Sequence, residues 1–356
     1  MRFSRKMHGI TLVELMVALA LSGLLLAGVV TMFASSRATY GNSERLARIE
    51  ENGRFALDSI LQDLRAAGFV GCNKRANLHN VLTGGNVTGG MWNFLESVHA
   101  YDAQTASATS PTMIASVPSV PIRVATSDVL MMHVPLPGIQ AMQLESAMAN
   151  DTDPLMVPPL PSGNKGPFAD KQLMLISNCQ DVTIFQLQSY DAQSGTITHT
   201  IGGANPARGL PGNRTGSLEA IYDRFSTVVA LQAVFYFVGN FDHDGNPATA
   251  PIPTLYRRIG DAAVEPLVDD VEMIQVRFGV DTNGDREADE NRAPGATLVS
   301  DQIISASIAL LVRAPEPSGE SVERNFRLLD LDVVAPDDRR MRKVFTTTAS
   351  IRNTAL

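Results

Sequence analysis

Oxygen-bearing side chains occupy alternate positions in Asp281-Thr282-Asn283-Gly284-Asp285-Arg286-Glu287-Ala288-Asp289. A turn with that spacing can point several of them at one hard cation such as Ca2+. Gly284 stands fourth in the loop rather than sixth, so the pattern departs from an EF-hand. A solvated turn rich in Asp, Asn and Gly is the competing reading. Asp242-His243-Asp244-Gly245-Asn246 is a shorter stretch of the same kind. The calcium expectation rests on Asp281, Asn283, Asp285 and Asp289.

No catalytic set accompanies these loops. The six histidines, at 8, 79, 99, 133, 199 and 243, include no pair at metal-ligand helical spacing. There is no G-x-S-x-G elbow and no Walker loop. Ser162-Gly163-Asn164-Lys165 matches S-x-x-K by letter, but it sits in a proline-rich loop rather than at a helix start. The chain is expected to be no enzyme. Cys72 and Cys179 are the two cysteines, which excludes a zinc ribbon and leaves one possible bridge or two buried thiols.

One further carboxylate stands out by its surroundings. From Leu12 to Phe33 the only charge in a largely apolar run is Glu14, and about 20 apolar residues suffice to cross a bilayer core. Arg2, Arg5 and Lys6 with His8 precede the run, and a positive flank is held on the cytoplasmic side, so the remainder emerges on the other face. In that compartment a cysteine pair oxidises. A secretory signal has an apolar region of about 7–15 residues and a small-residue cleavage site, whereas this run is longer. An ordinary anchor fits the length but gives no reason for an acidic side chain that is expensive in lipid.

The run Lys6-Met7-His8-Gly9-Ile10-Thr11-Leu12-Val13-Glu14-Leu15-Met16 resembles the class III signal of type IV pilins and type II secretion pseudopilins. The resemblance implies cleavage after Gly9 by prepilin peptidase and methylation of the new amine on Ile10, where most members carry phenylalanine. It also implies that Glu14 faces the N-terminus of a neighbouring subunit. Opposite charges in a low-dielectric region attract strongly, and either alone is costly.

After Phe33 the helical pattern continues. Leu46, Ile49, Gly53, Ala56, Ile60, Leu64 and Ala67 fall at three- and four-residue steps on one face, with Arg45, Arg48, Glu51, Arg54, Asp58 and Asp63 mostly off it. One helix is expected from about Thr11 to about Ala67, with a bend near Gly41 and a stop at Gly68. Leu61-Gln62-Asp63-Leu64-Arg65-Ala66-Ala67-Gly68-Phe69-Val70-Gly71-Cys72 then resembles the PilW family of minor pilins. Ile176-Ser177-Asn178-Cys179, the stretch Val271 to Asp281, and Arg342-Lys343-Val344-Phe345-Thr346-Thr347-Thr348 agree with that likeness.

Between Asn73 and about Leu175, glycine pairs and prolines mark a loop-rich region. Trp92 and Phe94 are expected to fill a small satellite core. Strand-like runs lie at 128–134, 172–176, 181–187, 228–237, 254–258, 271–280, 303–312 and 343–352. Strands following one another without helical periods imply an antiparallel sheet. The expected class is α+β, type IV pilin-like, with the long helix packed on an antiparallel β domain with long loops. The expected organisation is a leader over 1–9, the membrane half of the helix over 10–33, its periplasmic half over 34–70, and a β-rich globular domain over 71–356.

Loss of residues 1–9 leaves 26 Lys and Arg against 37 Asp and Glu, a formal charge of −11. Such a surface does not grip phosphate backbones, so no nucleic acid is expected. The resemblance implies a single-pass inner-membrane protein, its body in the periplasm, that moves to the pilus tip and serves pilus assembly and twitching motility. Its implied partners are prepilin peptidase, inner-membrane lipid, other minor pilins, the major pilin and a large tip adhesin. A type II secretion minor pseudopilin is the alternative within the superfamily, and a pilus-borne adhesin a further one.

Overall fold

A computed structural model describes residues 11–71, 73, 76–87, 90–103, 126–205, 210–241, 251–260, 264–295, 302–318 and 322–351. Gly9, Ile10, Cys72 and the Asp242–Asn246 loop lie outside the described residues.

Thr11 opens the helix, its Oγ1 accepting from the Glu14 N–H at 3.3 Å. The helix then runs over Leu12–Ala66, 55 residues, or about 80 Å at 1.5 Å per residue. It stays α-helical through Gly41, where a bend was expected. Ala67 caps the end in extended geometry. Gly68 follows with φ 70°, a left-handed conformation that glycine adopts without penalty. Its N–H donates to the His133 carbonyl at 3.0 Å, tying the exit to the sheet.

Two main sheets follow. The larger is built on Thr227–Phe241, which is β-branched and aromatic along its length. Along one side this strand pairs with Val129–Pro135 and Met142–Gln143, and along the other with Leu173–Ser177 and Ile252–Ile259. Asp181–Gln186 lies beyond Leu173–Ser177, and Glu265–Asp269 beyond Ile252–Ile259. The second sheet runs Glu290–Arg292, Val271–Val280, Ile303–Arg313, Arg342–Ser350, antiparallel throughout. The chain crosses between sheets at Asp270, whose φ is 63° and whose carboxylate accepts from Arg313 Nε at 2.9 Å.

The antiparallel expectation needs one correction. Asn77–Asn80, in the region read as loop, pairs in parallel with Asp181–Ile184 at the edge of the larger sheet. That strand is polar and short, so it carries no alternating signal. Its specificity lies in tertiary contacts such as Asn77 Nδ2 to Asp181 Oδ1 at 3.0 Å.

The principal core lies where the helix meets both sheets. Ile49, Ala56, Ile60 and Leu64 pack with Leu130, Val234 and Tyr236 of one sheet and with Ile274, Ile308 and Leu310 of the other. Separate apolar clusters fill the opposite face of the larger sheet, where Trp92 and Phe94 pack as expected for satellite core.

Candidate assembly site

The first half of the helix touches nothing else in the described molecule. Leu12, Leu24 and Phe33 are more than 70% exposed, and the other large apolar side chains between them are exposed as well. An uninterrupted apolar surface of that length is not stable in water. It requires lipid or other apolar helices around it. Glu14 sits one turn into this surface, and no described side chain pairs with its carboxylate.

The second half is one-sided. Ile49, Gly53, Ala56, Leu57, Ile60, Asp63 and Leu64 are buried, following the three- and four-residue steps of an amphipathic helix. Leu46, expected on that face, is 42% exposed, because the contact begins a turn later. Asp63, expected off the face, is on it at 9% exposure. Its position three residues after Ile60 was the available signal, and its charge argued against using it.

The structure gives Asp63 partners from the sheet. Arg257 donates to it in a forked arrangement, Nη2 to Oδ1 at 3.1 Å and to Oδ2 at 2.8 Å, with Nε at 3.1 Å. Tyr236 OH donates to Oδ2 at 2.6 Å. Burial, reinforced by the Asp63 carboxylate, pushes the Tyr236 hydroxyl far above its ordinary range, so it remains a donor. Arg and carboxylate in bidentate contact form one of the stronger polar pairs, and this one fixes how far along the sheet the helix can slide.

Charged contacts also join the sheets. Asp128 accepts from the Ala103 N–H at 2.9 Å and the Val276 N–H at 2.8 Å, and Ser127 Oγ accepts from the Ile274 N–H at 3.0 Å. Burial pushes the Asp128 carboxyl up to about 6 despite those donors. Within the second sheet, Arg342, its side chain buried, reaches Glu272 at 2.7 Å and, beyond it, Asp338 at 2.7 Å. Its hydrogen bonds hold Asp338 down at about 2.

In the acidic loop, Asp281 accepts from the backbone N–H groups of Asn283, Gly284 and Arg286. Burial raises its carboxyl, but these donors outweigh it and hold the group below the usual carboxylate range. Asn283 Nδ2 lies 3.1 Å from both Asp285 Oδ2 and Asp289 Oδ1. The loop thus converges on the Asn283 amide. Among the described residues no group of three or more His, Cys, Asp or Glu is arranged to hold a metal.

Cys179 is disulfide-bonded, and its backbone carbonyl accepts from Asn73 Nδ2 at 2.8 Å. The described histidines are dispersed. His133, for example, is buried with Nδ1 2.7 Å from the Glu96 carbonyl and Nε2 2.9 Å from the Met91 carbonyl, and burial lowers its basicity. It braces a loop.

Residues 4–30 match the family model described as prokaryotic N-terminal methylation motif, and residues 235–353 match the one described as Type IV Pilus-assembly protein W. A type IV-like pilin from Thermus thermophilus is similar at 15% identity over 53% of this chain and 86% of its own, with a TM-score of 0.24. None of the curated proteins matches the chain. A long apolar N-terminal helix carrying a methylation motif, followed by mostly antiparallel sheets, gives a prepilin-like protein. The likeness to type IV pilus-assembly protein W covers the C-terminal third of the chain. The methylation motif implies processing by prepilin peptidase, assembly implies other pilins, and the apolar helix is consistent with inner-membrane anchoring beforehand.

Proposed function

We propose that this protein is a minor pilin that primes pilus polymerisation and stays at the pilus tip with other minor pilins and a large tip adhesin. In this reading residues 1–9 are the leader, removed after Gly9, and Ile10 becomes the methylated N-terminus. Residues 10–33 span the inner membrane before assembly. Residues 34–70 carry the helix through the periplasm onto the 71–356 domain, which faces the partners, and Cys72 bridges to Cys179. Asp281, Asn283, Asp285 and Asp289 are carried in the same reading as calcium ligands.

The observation that supports this most is the contrast along one helix. From Ile49 onward its apolar face is buried by the chain's own sheets, whereas the stretch from Leu12 to Phe33 is exposed. A helix left bare in lipid loses little by moving into a bundle of similar helices, where packing contacts replace lipid contacts. Glu14 gains from the same move, since an isolated carboxylate in lipid is costly and a neighbour's N-terminal amine relieves that cost.

Mass spectrometry of the mature N-terminus together with co-purification tests the proposal. A methylated Ile10, and recovery with other minor pilins and the tip adhesin, is the expected result. An intact leader in working fibres, or absence from both fibres and assembly complexes, overturns it.

A further inference from the structure

The segment from Leu218 to Ser226, just before the long strand, is held at several points. The Leu218 N–H donates to the Asp151 carbonyl at 2.9 Å, the Met148 N–H to the Tyr222 carbonyl at 3.0 Å, and the Phe225 N–H to the Leu144 carbonyl at 3.1 Å. Tyr222 is fully buried, and its hydroxyl donates to Thr183 Oγ1 at 2.7 Å. Between these ties the segment turns Ile221, Arg224 and Phe225 outward. Ile221 is 55% and Phe225 62% exposed, and the Arg224 guanidinium lies over the phenyl ring, 4.8 Å from its centroid.

Phe225 carries two costs at once. Its φ is 76°, a left-handed backbone that is an outlier for a bulky residue and that glycine adopts freely. Its ring faces water, although an aromatic ring contributes most where it is buried. Arg224 is exposed as well, while Asp223 beside it accepts from Ser226 Oγ at 2.7 Å. Strain that the surroundings hold in place around an exposed side chain points to function rather than folding. Aromatic and arginine side chains on a pre-ordered segment are what a protein interface uses most.

The helix fixes where this segment lies. Tyr236 OH meets the Ser59 carbonyl and the Asp63 carboxylate, and further along the helix Gly68 meets His133, which pairs with Ala233. The strand thus passes the helix end near Ala233 and continues to Thr227, about 20 Å further at about 3.3 Å per residue. Ile221, Arg224 and Phe225 lie beyond it, on the side away from the Leu12–Phe33 segment that enters lipid. We propose that these three residues dock a neighbouring pilus subunit seated on the membrane-distal end of this chain, one that offers an apolar pocket for the phenyl ring and a carboxylate at its rim for the guanidinium. The proposal rests on the tip-assembly reading above and adds the surface through which the next subunit is held.

Phe225→Gly separates docking from folding, because it relieves the backbone and removes the ring together. The full chain in detergent micelles should melt at the wild-type temperature or above it in this variant. Co-purification from piliated cells should then lose one identified pilus subunit about tenfold in Phe225→Gly and in Arg224→Glu, while subunits recovered through the apolar helix stay within about twofold. A lower melting temperature in Phe225→Gly would mean that the ring serves its own fold, and overturns the proposal. Equal recovery of every subunit from wild type and both variants overturns the loop contact alone. Wild type recovered with no other pilus subunit overturns the assembly reading and the proposal with it. Hydrogen exchange of the chain alone in phosphatidylglycerol vesicles supplies the remaining arm, since protection of residues 219–225 there, without a partner, assigns the loop to lipid and overturns the proposal.

Discussion

Gly53 of the N-terminal helix lies flat against the ring of Phe345 on the last strand, and a β-carbon at residue 53 would overlap that ring. Glycine costs a helix interior about 1 kcal/mol relative to alanine. Here the cost is offset by close approach, since the second half of the helix packs directly on Arg342–Ser350 and the strands beyond it.

Gly53→Ala is therefore expected to destabilise the fold by about 1–3 kcal/mol, the usual range for overpacking, although alanine is the better helix former. Phe345→Leu in the same chain should recover most of that loss. Chemical denaturation of the two single variants and the double variant checks this, and simple additivity would contradict the contact.

Asp63→Ala leaves Arg257 without its carboxylate and Tyr236 without its acceptor. Removing one partner of a buried ion pair costs about 3–5 kcal/mol, and the partial exposure of Arg257 at 23% places this case toward the lower end or below. Tyr236→Phe removes a single hydrogen bond and should cost about 1 kcal/mol or somewhat more. Hydrogen exchange over residues 45–66 should rise in Asp63→Ala. Unchanged protection there would mean the helix does not depend on this anchor.

Asp128 provides a pH dependence with a definite sign. Its folded value, raised to about 6, lies above that of an unfolded aspartate, so its contribution is fully present below about pH 4 and is lost as pH rises through about 6. Asp128→Asn does not titrate. The variant should start less stable, because an amide satisfies only one of the two backbone donors as an acceptor, and should gain on the wild type by up to about 2–3 kcal/mol between pH 4 and pH 6.5. A pH-independent difference between the two proteins would show that Asp128 is ionised throughout.

Gly9→Val should abolish leader removal, read as retention of the precursor mass. Glu14→Ala should be cleaved and methylated normally yet enter fibres poorly, because the carboxylate acts only after processing. Normal piliation in both variants would remove the assembly mechanism.

For the 281–289 loop, isothermal titration with calcium at millimolar concentration should give binding heat that disappears in Asp285→Ala. A cation would have to replace the Asn283 NH2 between Asp285 and Asp289, turning that amide to present its oxygen instead. Absence of heat in the wild type means that the loop is closed by its own hydrogen bonds.

Much of this protein was legible along the chain because the signals are local. The apolar run after Gly9, the face at Ile49, Gly53, Ala56, Ile60 and Leu64, the stop at Gly68 and the long strands around 227–241, 271–280 and 303–313 each declare themselves by period or composition within one element. The methylation motif is likewise a contiguous string. Other features depend on what a distant segment supplies. Asp63 looks like a solvent residue until Arg257 and Tyr236 are beside it, Asn77–Asn80 is a strand only because Asp181–Ile184 is its neighbour, and Thr227–Phe241 changes partner near Gln232 because two strands end where they do. Period and composition encode which faces avoid water, since burial follows apolar area. Which polar groups are satisfied in the interior is set by partners far away in sequence, and only the folded chain brings them together.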